Sequence, residues 1–387
     1  MGFLFGFTAE LVGIVLMSLA QWLIGRSIIS YADMHFDGRI ARLVRAAVVL
    51  AGGLVLLGLM LSVPRTIVFL PRSPWSGVLR GAALLWAFSS TCAWMIYRAL
   101  WFSTRRFDPA RRKLLRTAGS AAIAAPFAAV GFGALVTRTD FRVREIDLPI
   151  PNLHKDLDGL RLMQISDIHL SPFLSEKEFA RVVDAANEQR ANAVLVTGDL
   201  ISTQGDPLDA CLRQLSRLRS DAGILGCLGN HEIYAGAEQY TADEGARLGI
   251  SFLRSQTRQL RFGGAVINVA GVDYQRMQWQ SHYLRAAQKM IVPGAFNILL
   301  SHNPDVFPTA AGQGWDLTLA GHTHGGQVNV EILNQSLNVA RFYTPYVYGL
   351  YRTGGSSIYV TRGIGTIGMP ARLGAPPEIA VLRLRKA

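Results

Sequence analysis

The sequence GLRLMQISDIHL, residues 159–170, joins a short apolar run to an Asp-Ile-His motif, Asp167 to His169. A run of this length is typical of a strand, and several of the runs in this half are apolar throughout, as in strands that are covered on both faces. Similar runs recur downstream and alternate with helical patterns, which predicts an α/β fold with a central sheet. The candidate strands are 160–166, 193–198, 223–228, 266–272, 296–301, 316–320, 358–361 and 379–384.

Two helices in this half have recognisable N-terminal sequences. Ser175 and Glu178 have the spacing of a capping box, which predicts a helix over 176–190. Asp206 followed by Pro207 predicts an N-cap and a first-turn proline before a helix over 207–219. The sequence has no internal repeat and no Rossmann or Walker fingerprint.

Composition separates this α/β region from the N-terminal part of the chain. The 387 residues are 50% hydrophobic and 17% charged, and their mean hydropathy is +0.24, which excludes a disordered protein. Of the net charge of +12, +10 belongs to residues 1–140 and only +2 to residues 141–387. Because the excess positive charge lies in the apolar part, it indicates basic residues that flank membrane-spanning helices. A nucleic-acid partner is therefore not expected.

Four apolar stretches predict a membrane region over residues 1–140, ahead of a catalytic domain over 141–387. The stretches are 3–25, 46–63, 81–97 and 117–137. The third is short and the fourth only weakly apolar, so three spans are the alternative.

Basic residues predict the orientation of these spans. The loops at 26–45 and 98–116 carry eleven basic residues, whereas the loop at 64–80 carries three and the N-terminus none. The side with the excess is expected to be cytoplasmic, which places the C-terminal domain outside. The pair Arg111-Arg112 is read either as a twin-arginine export signal or as the basic flank of an ordinary span.

Metal-binding side chains cluster at the ends of five candidate strands. Five of the eight histidines lie there, together with aspartates, an asparagine and several glycines. Since ligands bind beyond the carboxyl ends of strands in α/β sheets, we expect these segments to meet at one rim. The candidate residues are Asp167, His169, Asp199, Asn230, His231, Glu232, His302, His322 and His324.

This set of ligands favours transition metals. Imidazoles, carboxylates and an amide oxygen suit divalent transition metals better than calcium or magnesium. The candidates are too many for one tetrahedral ion, whereas two bridged ions would use them all. Metal identity stays open between manganese, iron and zinc.

The cysteines argue against a disulfide scaffold. There are three, Cys92, Cys211 and Cys227, and none forms a CxxC pair. We expect Cys211 and Cys227 to be small buried apolar residues, with a disulfide between them as the alternative.

At this point the sequence resembles the calcineurin-like metallophosphoesterase family, over roughly residues 145–385. The matching motifs are DIH at 167–169, GDL at 198–200, GNHE at 229–232, SHNPD at 301–305 and GHTHGGQ at 321–327. The segments 361–366 and 372–379 are similar to the bacterial membrane-anchored branch. The resemblance implies a four-layer αββα sandwich metallophosphoesterase domain, preceded here by an α-helical transmembrane region.

The resemblance also implies a ligand set and a role for each residue. One ion would be held by Asp167, His169, Asp199 and His324. The other would be held by Asp199, Asn230, His302 and His322, with Asp199 bridging the two. His231 would not bind metal but would act on the substrate as a catalytic residue, and Asn230 would serve both as ligand and in catalysis. Relatives with a second acid after the Gly-Asp pair differ from this chain, where Leu200 to Thr203 follow Asp199.

The expected function is therefore that of a metal-dependent hydrolase of phosphate ester or pyrophosphate bonds, in which a metal-bridging hydroxide attacks phosphorus. The expected location is a bacterial inner or plasma membrane, with the catalytic domain outside the cytoplasm and a lipid-linked or membrane-proximal substrate as one candidate. The alternatives are a catalytically silent membrane sensor or scaffold that keeps the metal-binding fold, and a transporter with a phosphoesterase appendage. The oligomeric state is not predicted.

Overall fold

The computed structural model describes residues 2–61, 74–104, 109–332 and 335–387. They divide into two compact units. One comprises the described residues up to Leu135 together with Gly368–Ala371, and the other comprises Val136–Ile367 with Arg372–Ala387.

The N-terminal unit is built from long helices. They are α1 (Gly2–His35), α2 (Gly38–Met60), α3 (Pro74–Thr104) and α4 (Pro109–Leu135). Asp37 begins α2, because its carboxylate accepts hydrogen bonds from the amides of Arg39 and Ile40. A loop was predicted at 26–45. This prediction is wrong, because residues 26–35 and 38–45 are helical. The predicted loops at 64–80 and 98–116 are wrong for residues 74–80, 98–104 and 109–116, which are helical. Residues 64–73 and 105–108 lie outside the described residues.

Three segments of the described chain are long and apolar enough to cross a membrane: Val12–His35, Gly38–Met60 and Ala118–Thr139. The predicted third span, 81–97, lies within the 31-residue helix α3. Among the described residues, α3 is not one of the segments that reach the hydropathy of a membrane span. The number of membrane crossings stays a prediction.

The C-terminal unit contains two six-stranded sheets and a two-stranded hairpin in its described part. The first sheet has the order β1-β14-β2-β3-β4-β5 and the second β12-β13-β9-β8-β7-β6. The strands are β1 (Arg142–Ile150), β2 (Arg161–Ile165), β3 (Ala193–Thr197), β4 (Ile224–Cys227), β5 (Ile250–Phe252), β6 (Gln256–Phe262), β7 (Ala265–Gly271), β8 (Phe296–Leu300), β9 (Leu317–Ala320), β10 (Asn329–Ile332), β11 (Gln335–Asn338), β12 (Gly349–Thr353), β13 (Ser356–Val360) and β14 (Glu378–Lys386).

The helices of this unit are α5 (Glu176–Asn187), α6 (Leu208–Leu215), α7 (Asn230–Ala235), α8 (Glu238–Arg247) and α9 (Phe307–Gln313). The predicted capping box of Ser175 and Glu178 is confirmed at the start of α5. The predicted N-cap at Asp206 is wrong. Its carboxylate instead accepts hydrogen bonds from the amides of Ser202 and Thr203, and α6 begins at Leu208.

Alternate residues of each strand point to opposite faces, and this alternation produces the layers. Val194 and Val196 of β3 pack with Phe179 and Val182 of α5, whereas Leu195 belongs to the core between the two sheets. On the second sheet, alternate strand residues face the same core, which is lined there by Ile298, Leu300, Leu317 and Leu319.

Leu299 faces the other way, towards Ala310 of α9, and completes the fourth layer. The predicted four-layer αββα sandwich is confirmed. Cys211 and Cys227 are free and lie in different cores, as expected for small buried residues.

Candidate metal centre

Four of the candidate ligands lie two residues after the end of a strand. Asp167 follows β2, Asp199 follows β3, His302 follows β8 and His322 follows β9. In each sheet the strands concerned are parallel neighbours, so their carboxyl ends lie at the same edge. The five motifs therefore meet, as expected, but they come from two facing sheets and not from one.

Three overlapping groups of potential ligand atoms form at this edge, each within 4.8 Å. Asp167, His169 and His324 form one group, and Asp199, His302 and His322 form another. His169, Asp199 and His231 form the third, which links the first two. All of these residues except His231 and His322 are buried.

Asp199 lies between the two outer groups. Its Oδ2 is 3.5 Å from Nε2 of His169 and 3.0 Å from Nε2 of His302. Its Oδ1 accepts a hydrogen bond of 2.9 Å from the amide of His231. One carboxylate oxygen thus faces both groups while the other is held by the backbone.

A contact at Nδ1 orients each of two imidazoles, those of His302 and His169, so that Nε2 faces the other candidate ligands. Nδ1 of His302 is 2.6 Å from the carbonyl of Thr197, which can only accept, so Nδ1 carries the proton and Nε2 can bind a cation. Nδ1 of His169 is 3.1 Å from Oγ of Ser202, and its Nε2 is 3.1 Å from Nε2 of His324.

The backbone conformation at the ligands is unusual. Five of them have positive φ angles, between 47° and 75°, a region that non-glycine residues rarely adopt. They are Asp167, His169, Asp199, His322 and His324. Each such residue costs about 1 kcal/mol or more and persists only where surrounding contacts enforce it, which is common at functional sites.

Glycine lets two of these turns approach each other. Gly198 has a φ of 88°, and a Cβ there would lie 2.5 Å from the amide nitrogen of Gly229. A Cβ on Gly229 would overlap the carboxylate of Asp199. The Gly-Asp and Gly-Asn pairs therefore bring the ends of β3 and β4 into direct contact.

Burial keeps most of the imidazoles neutral. It lowers the pKa of His169 to about 3, helped by His231, and that of His322 to about 3, helped by His302. Burial also lowers the pKa of His324 well below its usual range. Neutral imidazoles are the form that binds metal.

His302 and Asp199 lie side by side, and each shifts the pKa of the other. Burial opposes protonation of His302, but the Asp199 carboxylate outweighs it and raises the pKa of His302 to about 9. Burial likewise opposes ionisation of Asp199, but His302 and His231 hold its pKa well below the usual range. Burial raises the pKa of Asp167 to about 6, against the attraction of His302.

His231 is oriented by its neighbours. Its Nδ1 is 2.5 Å from the carbonyl oxygen of Ser202, so Nδ1–H donates there and Nε2 is left for another partner. Its ring contacts the rings of His169 and Tyr234 at centroid distances of 4.7 Å and 5.4 Å.

Glu232 ends the GNHE motif, and the structure gives it a role outside the candidate ligand set. It is fully buried, and its carboxylate accepts hydrogen bonds from the amides of Asp199, Leu200 and Gly229 at 2.7–3.0 Å. It belongs to none of the three ligand groups found among the described residues.

Sequence reasoning missed Arg372. Its buried guanidinium donates to the carbonyls of Arg362, Gly365 and Ala375. It thereby holds the loop after β13, whose residue Gly365 donates its amide to the carbonyl of Asp167. A single arginine in a sequence does not indicate which backbone carbonyls it will bind.

The donor set fits divalent cations. Oδ1 of Asn230 is buried and has no hydrogen-bond partner among the described residues. A buried amide oxygen without a partner is costly, and a cation beside it would remove that cost. Together with the neutral imidazoles and the two carboxylates, it matches the ligand preference of manganese, iron and zinc.

Comparison with known proteins agrees with this arrangement. The family model described as calcineurin-like phosphoesterase matches residues 160–326, which contain every candidate ligand. Residues 160–326 of the α/β unit therefore form a calcineurin-like phosphoesterase domain. The resemblance recognised in the sequence is confirmed.

Several relatives of known sequence share this domain. An uncharacterised metallophosphoesterase of Campylobacter jejuni is 31% identical over 248 residues, 63% of this chain and 63% of that protein. A Danio rerio protein named as a transmembrane protein with a metallophosphoesterase domain is 29% identical over 259 residues, 64% of this chain and 58% of the relative. A Bacillus subtilis metallophosphoesterase is 29% identical over 235 residues, 59% and 80% of the two chains. The aligned part of this chain thus covers less than two-thirds of the first two relatives.

Proposed function

We propose that this protein is a metal-dependent hydrolase of phosphoester or pyrophosphate bonds. The observation that carries the proposal is the position of Asp199, whose Oδ2 faces His169 of one ligand group and His302 of the other. Two divalent cations at these groups would neutralise the charge of a phosphoester and lower the pKa of water. Membership of the calcineurin-like phosphoesterase family supports this chemistry.

We assign the ligands as the sequence predicts. Asp167, His169 and His324 would hold one cation, and Asn230, His302 and His322 the other, with Asp199 shared. His231 also lies within reach of His169 and Asp199, so its role as a non-ligand requires a test of its own.

Replacement of the shared carboxylate tests the metal centre. Asp199→Asn should abolish manganese-supported hydrolysis of a chromogenic phosphodiester and reduce the bound metal measured after dialysis. The matched control is Asp184→Asn, because Asp184 is an exposed aspartate paired with Arg217. Normal turnover by the Asp199→Asn protein would contradict the bridging role.

His231 is proposed to donate a proton to the leaving oxygen. The carbonyl of Ser202 holds Nδ1–H, so the imidazolium form presents Nε2–H to the substrate. The proton moves to the ester oxygen as the P–O bond breaks. Asn230, next to it in sequence, contributes its amide oxygen to a cation.

Substrates with different leaving groups can show whether His231 acts as a general acid or as a metal ligand. An alkyl leaving group needs a proton, whereas nitrophenolate leaves without one. His231→Ala should therefore slow hydrolysis of an alkyl phosphodiester by about 10²–10⁴-fold and that of a nitrophenyl ester far less. Equal losses on both substrates, together with reduced metal content, would show that His231 is a ligand.

We further propose that the protein is anchored in a bacterial inner or plasma membrane and acts on a substrate in or near it. Three apolar helices on the same chain support the anchor, as does the Danio rerio relative described as a transmembrane protein. Lipid-linked phosphoesters in vesicles should be hydrolysed faster than soluble diesters of the same leaving group. Hydrolysis of soluble diesters alone would contradict the lipid-linked substrate.

The orientation proposed for the catalytic unit is extracytoplasmic. Basic residues flank the break between α1 and α2, where Arg39, Arg42 and Arg45 lie on the first turns of α2. Positive flanks of this kind face the cytoplasm. With α3 also crossing the membrane, residues after 137 would lie outside, and protease added to intact spheroplasts should digest them.

A further inference from the structure

Tyr274 lies beside the second ligand group. It follows β7 by three residues, and β7 is the parallel neighbour of β8, whose end carries His302. Because parallel neighbours end at the same edge, Tyr274 is brought to the rim that holds the ligands. It is only partly exposed.

The phenol contacts two of the imidazoles. Its hydroxyl oxygen lies 3.5 Å from Nε2 of His322, and its ring centroid is 5.4 Å from that of His322. The ring of His302 is 6.0 Å away. The aromatic ring thus covers one side of this group while the hydroxyl reaches a ring nitrogen.

The loop that carries Tyr274 is attached to the loop that carries His302. Asn303, the residue after His302, donates to the carbonyl of Gln275 at 2.7 Å and to the hydroxyl of Tyr283 at 3.0 Å. Gln275 in turn donates to the carbonyl of Asp273 and accepts from the amide of Leu284. These bonds fix Tyr274 relative to the ligands.

A metal-bound neutral imidazole uses one nitrogen for the cation and carries its proton on the other. For His322, the nitrogen beside Tyr274 is Nε2. We propose that Tyr274 is a positioning residue, whose hydroxyl oxygen accepts the Nε2 proton of His322 so that Nδ1 faces the cation shared with Asp199 and His302. The inference rests on the proposed metal centre. The hydroxyl proton of Tyr274 then remains available for a substrate oxygen.

Equilibrium titration of the metal-depleted full-length protein with manganese tests this role without any turnover. Tyr274→Phe keeps the ring contacts and removes only the hydroxyl. We expect one of two binding events to weaken by about 10–100-fold, the usual effect of removing an outer partner of a ligating histidine, and the other to stay unchanged. Tyr240→Phe is the control, since the Tyr240 hydroxyl is bound to Asp209 on the exposed surface.

A double-mutant cycle separates positioning from a general structural effect. If Tyr274 acts through His322, Tyr274→Phe will have no further effect on manganese affinity in a His322→Ala background. An equal loss in both backgrounds, or no loss in the native background, would overturn the inference. A native protein that binds no manganese would overturn the metal centre together with it, so the two failures are distinguishable.

Discussion

Gly229 is in direct contact with the carboxylate of Asp199, and this contact sets the position of the proposed shared ligand. Gly229 has a φ of −97°, which any residue adopts, so its lack of a side chain reflects space and not backbone conformation. A Cβ at this position would overlap Oδ1 of Asp199 and approach its amide nitrogen to 2.6 Å. Neither atom can move without disturbing the end of β3.

Gly229→Ala should therefore displace the shared carboxylate and leave the rest of the fold intact. Misplacing a catalytic group by about 1 Å costs about 100-fold in rate, and a loss of this size in kcat/KM is expected for a chromogenic diester. The control is Gly312→Ala in α9, where an added Cβ meets no atom within 4 Å. Equal activity of the two variants would show that the carboxylate adjusts freely.

The candidate ligands were readable from the sequence because each one follows an apolar strand within a few residues. Their left-handed backbone conformations were not, since a positive φ is uncommon for every non-glycine residue, even for aspartate and histidine, in which it is enriched. Tyr274 belongs to none of the five motifs, and its contact with His322 depends on packing between two strands. Their roles as ligands stay predictions until metal is measured.

Glu232 connects two secondary-structure elements. It lies in the first turn of α7, where its carboxylate accepts a hydrogen bond from the amide of Gly229, the N-cap residue. The same carboxylate binds the amides of Asp199 and Leu200, just after β3. Burial, together with the nearby Asp199 carboxylate, raises the pKa of Glu232, and the amides of Gly229 and Leu200 oppose that shift.

Glu232→Ala would leave three buried amides without partners. Each unsatisfied buried group costs about 1–3 kcal/mol, so the α/β unit should lose about 3 kcal/mol or more. Glu232→Gln keeps acceptor capacity on one oxygen and should lose less. Thermal unfolding in detergent measures the order, with the exposed Glu188→Ala as the control. An unchanged midpoint in Glu232→Ala would contradict the connecting role.

Strands were predicted where burial is complete and missed where it is one-sided. All five residues of β3 are buried, and this burial is visible in the sequence as an apolar run. β1 and β6 carry charged and polar residues at most positions and are largely exposed, so their pairing depends on backbone hydrogen bonds with β14 and β7. Asp206 was misplaced because an aspartate before proline caps a turn as well as a helix.

Bound cations should stabilise the α/β unit as a whole. All candidate ligands lie in this unit and come from both sheets, so a cation joins the ends of strands that are distant in sequence. A ligand at 100 times its Kd adds about 2.7 kcal/mol to the free energy of unfolding. For a unit of this size that corresponds to about 5–10 °C in Tm.

Manganese added to metal-depleted protein should therefore raise Tm in a concentration-dependent way, and chelation should reverse the change. The Asp199→Asn protein should show a much smaller response. If both proteins respond equally, the stabilisation arises elsewhere on the molecule.

The two units should be separable in function, because their surfaces suit different environments. In the helices, Leu16, Val49 and Leu50 expose 59%, 66% and 67% of their surface, as expected for side chains that face lipid. The candidate ligands and both six-stranded sheets lie within the other unit. A chain that starts at Val136 should therefore remain in the supernatant when vesicles are sedimented, whereas the full chain should sediment with them.

The shortened chain should bind manganese and hydrolyse a soluble diester, and should lose only the preference for vesicle-borne substrate. Its sedimentation with vesicles would show that the α/β unit itself binds the membrane.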